Sequence, residues 1–155
     1  MSKQDAVVSE IEIGAPPEAV FRALTDSKEL FAWWGTEPSV DLKRFDMDAR
    51  VGGRWSFEGS DTAGRPVNGV THFEAHGEIV EMVPPRLLAY TWIANWHDDP
   101  KQRTLVRWEL EETKTGTRVR VTHSGLARLD VARKDYTGGW PGVLKLLEKS
   151  MATSS

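Results

Sequence analysis

Cysteine is absent from the 155-residue chain. That single absence excludes disulfides, thiolate nucleophiles and cysteine-ligated zinc. No run approaches the roughly 18 apolar residues of a membrane helix. The opening Met1-Ser2-Lys3-Gln4-Asp5 leads into a strand pattern, not into the apolar core of a signal peptide, so the cytoplasm is the expected location. Basic runs are missing too, and the formal net charge is -3. Phosphate recognition needs a basic surface, so nucleic acid is not an expected partner, and neither is a membrane. There is no P-loop, no G-x-G-x-x-G after a strand and no G-x-S-x-G elbow. No cofactor is implied.

What is there reads as ordinary folded protein, with 28% charged and 39% hydrophobic residues. The length fits one domain, placed at residues 6–152, with flexible tails at 1–5 and 153–155. A chain this long buries roughly 70% of its unfolded surface, enough for a core with a cavity in it. Seven tryptophans are the one unusual figure. Their large amphipathic rings suit a cavity wall as well as a solid core.

Hydrophobic periodicity organises the chain. Residues 6–13 alternate as a strand with Ile11 and Ile13 inward. Pro16 and Pro17 stop it and open a short helix over Val20, Ala23 and Leu24. Asp26 or Ser27 caps a second short helix that carries Trp33 and Trp34 and ends at Gly35. Strand patterns follow at 39–48, 51–57, 72–82, 86–92, 105–111 and 117–123. They are joined by turns, which implies antiparallel pairing. The last stretch is helical: Trp140, Val143, Leu144, Leu147 and Met151 form one apolar stripe. Such a face needs a sheet to lie on. Pro141 is harmless only near a helix start, so the spacing predicts either a kink there or a helix beginning close to it, with 129–136 a looser approach. Gly138-Gly139 reads as turn or helix-start chemistry.

Candidate site residues come from the inward faces. Trp55, Phe57, Tyr90, Trp92, Trp108 and Trp140 form an aromatic set that either lines a pocket or fills a core. Alternation cannot separate the two. Trp33 and Trp34 point about 100° apart on a helix, so one can wedge the packing while the other gates a cavity. Trp96, in a polar loop, is placed at the rim. His123, inward on the last strand, can orient a ligand, act as acid or base, or simply be a satisfied core histidine. Ser124 beside it faces the other way and makes no dyad. His72 and His76 lie roughly 13 Å apart on a strand, too far to share an ion. His97-Asp98-Asp99-Pro100 reads as a polar turn more readily than as a cation site. No metal ligand and no catalytic residue is assigned.

Several segments together resemble a known family: Pro17-Glu18-Ala19-Val20-Phe21-Arg22-Ala23-Leu24-Thr25-Asp26 with Trp33-Trp34-Gly35; Val51-Gly52-Gly53-Arg54-Trp55; Gly77-Glu78-Ile79-Val80-Glu81 with Pro84-Pro85-Arg86-Leu87; Thr122-His123-Ser124-Gly125-Leu126; and Gly139-Trp140 with Leu144 and Leu147. The chain is similar over residues 7–151 to the SRPBCC (START/Bet v1-like) superfamily, in the branch named after the activator of Hsp90 ATPase homologue. The resemblance implies an α+β helix-grip fold. A curved antiparallel sheet of about six or seven strands wraps a long C-terminal helix, with two short helices after the first strand. It also implies a helix start near 132–134 and an apolar cavity between sheet and helix. The expected function is binding of a small hydrophobic or amphipathic molecule by Trp33, Trp34, Trp55, Phe57, Tyr90, Trp92, Trp108, His123, Tyr136, Trp140, Val143 and Leu144. A cyclase or hydrolase using His123 is the alternative from the same superfamily. An Hsp90-type chaperone is a weaker expected partner, and a homodimer stays open.

Overall fold

The computed structural model describes residues 5–153, with side chains to residue 152. The order is β1 (Val7–Ile13), α1 (Pro17–Thr25), α2 (Ser27–Trp34), β2 (Val40–Met47), β3 (Arg54–Asp61), β4 (His72–Val83), β5 (Leu87–Ala94), β6 (Thr104–Glu112), β7 (Thr117–Ser124) and α3 (Asp130–Thr153). The seven strands form one sheet in the order β1-β7-β6-β5-β4-β3-β2. Every pairing is antiparallel. The first two strands therefore sit on opposite edges, and α1 and α2 carry the chain from one edge to the other. This is the helix-grip arrangement, with the curved sheet closed over α3.

Alternation sets the faces. Thr104, Val106, Trp108 and Leu110 are buried along β6, and Val119, Val121 and His123 along β7. Their register pairs Val106 with His123 and Trp108 with Val121, so large and small inward groups interlock. Gly77 shows why one inward position must be empty. A Cβ there would lie 1.8 Å from the Thr91 carbonyl oxygen and 2.6 Å from Trp55 Nε1. The vacancy admits the indole of Trp55, its cross-strand partner, whose N–H donates to Thr91 O at 2.8 Å. Outside, charges pair across the strands, as Arg118 does with Glu12 and Glu111. Each exposed pair of this kind contributes about 0–1 kcal/mol.

Two expectations about the ends change. Residues 1–4 and 154–155 of the expected tails lie outside the described residues. Asp5, also placed in a tail, is held: its carboxylate accepts from Gly125 N–H at 3.1 Å and its carbonyl from Leu126 N–H at 2.8 Å. The third strand starts at Arg54, and Val51 lies exposed in the turn before it.

The larger correction concerns α3. It does not begin near Pro141 after a looser approach; it is helical from Asp130 onward, and Pro141 lies inside it. An interior proline costs about 3 kcal/mol and each interior glycine about 1 kcal/mol relative to alanine. Tertiary contacts offset this. Ala132, Tyr136, Trp140, Leu144 and Leu147 are all buried. The helix also has a cap from a distant loop. Asp98 accepts from Val131 N–H and Ala132 N–H, both at 3.0 Å. The segment read as a polar turn or cation loop is thus the N-terminal anchor of α3.

Burial pushes the Asp98 carboxyl up, but the bonds from Ala132 and Val131 outweigh it and leave its pKa below the ordinary value. A depressed carboxylate contributes stability above its unfolded pKa, and that contribution is lost as pH falls through the folded pKa. Asp98→Ala is expected to lower stability by about 1 kcal/mol near neutral pH, with Asp98→Asn milder. Urea denaturation checks this; equal stability of all three proteins would contradict the cap.

Candidate ligand-binding cleft

Beside α3 the sheet leaves a cleft of about 590 Å³. Its walls come from α2 and β2 on one side, β3, β4 and the turn after β5 below, and α3 above. Six of the expected residues line it: Trp34, Phe57, Trp92, Tyr136, Trp140 and Val143. The other six do not. Trp33, Trp55, Tyr90, Trp108, His123 and Leu144 lie in the core around it, each nearly without solvent exposure.

The two adjacent tryptophans divide as helix geometry requires. Trp33 is the wedge, and its N–H donates to Ala23 O at 2.8 Å, locking α2 to α1. Trp34 faces the cleft and meets Trp140 edge-on, ring centres 6.1 Å apart. Trp108 and Trp140 touch each other, edge to face at 5.7 Å. Tyr90 is committed as well: its hydroxyl accepts from Trp108 Nε1 at 2.9 Å, and burial raises its pKa. Trp96 is not a rim residue; it is buried in the cleft wall, its ring centre 5.9 Å from Phe57.

His123 occupies a closed hydrogen-bond chain. Trp140 Nε1 donates to its Nδ1 at 3.2 Å. Its Nε2 lies 2.7 Å from Thr104 Oγ1, which donates its own proton to Trp92 O at 2.9 Å. An indole can only donate, so Nδ1 must be bare and Nε2 must carry the hydrogen. The ring is neutral and saturated. Burial, helped by the charge of nearby His97, lowers its pKa to about 3. Among the described residues His123 makes no carboxylate contact, and its phenol neighbour Tyr136 meets it ring to ring at 4.2 Å without a hydrogen bond between them.

A second chain runs alongside. Trp92 Nε1 donates to Tyr136 Oη at 2.9 Å, and the same oxygen shares a 2.7 Å bond with His97 Nε2. Burial lowers the His97 pKa to about 4, against the opposing pull of the Gln102 backbone and of Asp98 and Asp99. Its Nδ1 reaches toward that backbone without closing a hydrogen bond. Trp96 Nε1 likewise leans toward Tyr136, close enough to oppose the rise that burial imposes on the phenol, yet makes no bond. Sequence reading took His97 as part of a polar turn, because its partner lies 39 residues away on α3.

Two other clusters fit a ligand less well. Glu58, His72 and Glu74 bring ligand atoms within 4.8 Å of one another on the outer face. Glu58 is already bonded to His72 at 2.7 Å and faces Arg44 at 3.6 Å, a fixed positive charge that opposes a cation. A depression of about 610 Å³ near Pro85 and Glu109 is walled mainly by charged side chains, with Val83, Leu87 and Leu110 among them. Three of its four arginines, Arg107, Arg118 and Arg120, are already paired with glutamates. The cleft under α3 is the site with unspent apolar surface.

A seven-stranded sheet gripping one long helix, with an aromatic cleft between them, is the architecture of the SRPBCC superfamily. Within it, the chain belongs to the activator of Hsp90 ATPase homolog 1-like family, whose model matches residues 14–152. No curated protein matches the chain. Among solved structures, a Mesorhizobium loti protein is 29% identical with a TM-score of 0.74, the match covering 97% of this chain and 98% of that one. The AHSA1 protein of Silicibacter pomeroyi is 26% identical with a TM-score of 0.76, covering 97% and 99%. A Chromobacterium violaceum protein is 25% identical with a TM-score of 0.77, covering 94% and 96%. Among the described residues no helix is long and apolar enough to cross a membrane.

Both buried histidines titrate lower folded than unfolded, where the pKa is about 6.5. Between those values the unfolded chain binds more protons. The stability they contribute is therefore complete above about pH 6.5 and falls as pH drops, toward about 4 for His97 and about 3 for His123. Histidine ¹⁵N spectra are expected to show His123 as the neutral Nε2–H tautomer from about pH 7 down to about pH 5. An imidazolium signal from His123 near pH 5 would contradict the closed chain.

Proposed function

We propose that the protein binds a small apolar or amphipathic molecule in the cleft between sheet and α3. One observation carries this. Gly138, Gly139 and Gly142 line the cleft, and a Cβ added at any of them meets nothing within 4 Å. Packing does not require these glycines. Each costs the helix about 1 kcal/mol relative to alanine. Their effect is to keep open a space walled by Trp34, Phe57, Phe73 and Trp96. A cavity of roughly 300–1,000 Å³ with mostly apolar walls is the usual setting for a small ligand, and about 590 Å³ falls within that range.

The place of His123 favours binding over catalysis by that residue. It lies outside the cleft wall with both ring nitrogens bonded. An acid or base must reach the proton it transfers.

Gly139→Leu separates this function from folding. The side chain enters open space, and leucine is a better helix former than glycine. The variant is expected to match or exceed the wild type in thermal stability. It should lose most of its binding of N-phenyl-1-naphthylamine, read by probe fluorescence. Unchanged probe binding in a folded Gly139→Leu protein would remove the cleft as the site.

A further inference from the structure

Residues 62–71 connect β3 to β4 and belong to neither strand. Arg65 and Val67 line the cleft, and Val67 and Val70 pack partly buried against the core. The tip of this segment is a two-residue hairpin turn. Val67 and Val70 exchange backbone bonds of 3.2 Å and 2.9 Å across Asn68 and Gly69. A turn of this kind needs positive φ at both central residues, which Asn-Gly supplies readily. Here the two angles are 50° and 76°. The tip is therefore a preformed unit that can move as one piece.

Little holds this unit to the rest of the protein. At its base, Thr62 N–H donates to Ser39 O at 3.0 Å and Asp61 N–H to Thr71 O at 2.8 Å. Beyond the base, Asn68 Nδ2 donates to Trp96 O at 2.8 Å. Among the described residues, only the Asn68 side chain ties residues 64–70 to the body by a hydrogen bond or ion pair. Residues 63–66, Asn68 and Gly69 are all exposed. The other end of the tether is a fixed post. His97, next to Trp96, is bonded to Tyr136, and Asp98 caps α3. A segment with few buried contacts and one tether opens locally at far lower cost than the sheet beside it.

We propose that residues 62–71 form a flap on the cleft, and that the Asn68–Trp96 bond is the latch that holds it shut. Ligand exchange then waits on the release of Asn68. This rests on the binding role proposed for the cleft. Closed, the flap contributes Val67 to the apolar wall beside the Trp96 ring. Asn68 itself does not line the cleft, so its loss removes no contact with a ligand. A latch made alike in the free and the bound protein sets how often the flap opens and leaves affinity alone.

Two variants cut the latch and spare the turn. Asn68→Gly keeps the positive φ without strain. Asn68→Asp also tolerates that φ and keeps the side-chain shape, but it has no N–H to donate. Stopped-flow fluorescence with N-phenyl-1-naphthylamine gives the association and dissociation rates. Both variants are expected to raise the two rates together by about fivefold, the weight of one neutral hydrogen bond, with Kd nearly unchanged. If dissociation alone quickens, Asn68 shapes a wall and latches nothing, which overturns the proposal. If only one variant changes the rates, the cause is the new residue and not the lost bond, and the latch falls. If neither variant alters either rate, residues 62–71 do not control exchange, while the cleft stands. If the probe does not bind the wild type, the binding role itself fails and takes this inference with it.

Discussion

Trp92 sets the constraint on which the structure depends. Its indole is almost wholly buried at the centre of the sheet. A buried indole N–H must find an acceptor, or it costs about 1–3 kcal/mol. The acceptor is Tyr136, on α3. The Trp92 carbonyl accepts from Thr104, Thr104 bonds His123, and His123 accepts from Trp140, also on α3. Two chains of directional bonds, one turn apart on the helix, therefore tie α3 to β5, β6 and β7. Apolar burial alone is non-directional and would let the helix slide. The bonds fix its height and rotation. With that position fixed, the glycines must face the space under α2 and β2.

Such pinning also explains how a poor helix sequence stays helical. Gly138, Gly139, Pro141 and Gly142 fall within five residues of the helix interior. Local preference opposes a helix there, and the structure forms one because both flanks are anchored. Asp98 holds the first turn, and Leu144 and Leu147 hold the second half in the core. The weak middle is the segment that lines the cleft. Sequence that looks like a fault in the helix is the part that gives the cleft its room.

Much of the fold was legible because period-two alternation is local. The inward faces of β3, β5, β6 and β7 follow it, and the short helices announce themselves by Pro17, Asp26 and Gly35. The cleft was legible by half. Alternation says that Trp55, Phe57, Tyr90 and Trp108 point inward, but only the curvature of the sheet separates Phe57, on the cleft, from Trp55, beneath it. What was missed came from partners far apart in the chain. Asp98 caps a helix that begins 32 residues later, and His97 finds Tyr136 39 residues on. Gly138-Gly139 reads as a turn or helix start from sequence because the capping residue is not adjacent to the helix.

The central claim is that the cleft beside α3 receives a ligand while the hydrogen-bonded core beneath it stays closed. Amide and indole chemical-shift mapping during titration with N-phenyl-1-naphthylamine tests it most directly. Shifts concentrated at Gly138, Gly139, Gly142 and the Trp34 and Trp96 indoles, with the His123 ring signals unmoved, are the predicted result. Shifts confined to the arginine-lined groove around Arg107, Arg118 and Arg120, with the glycines silent, would contradict the account.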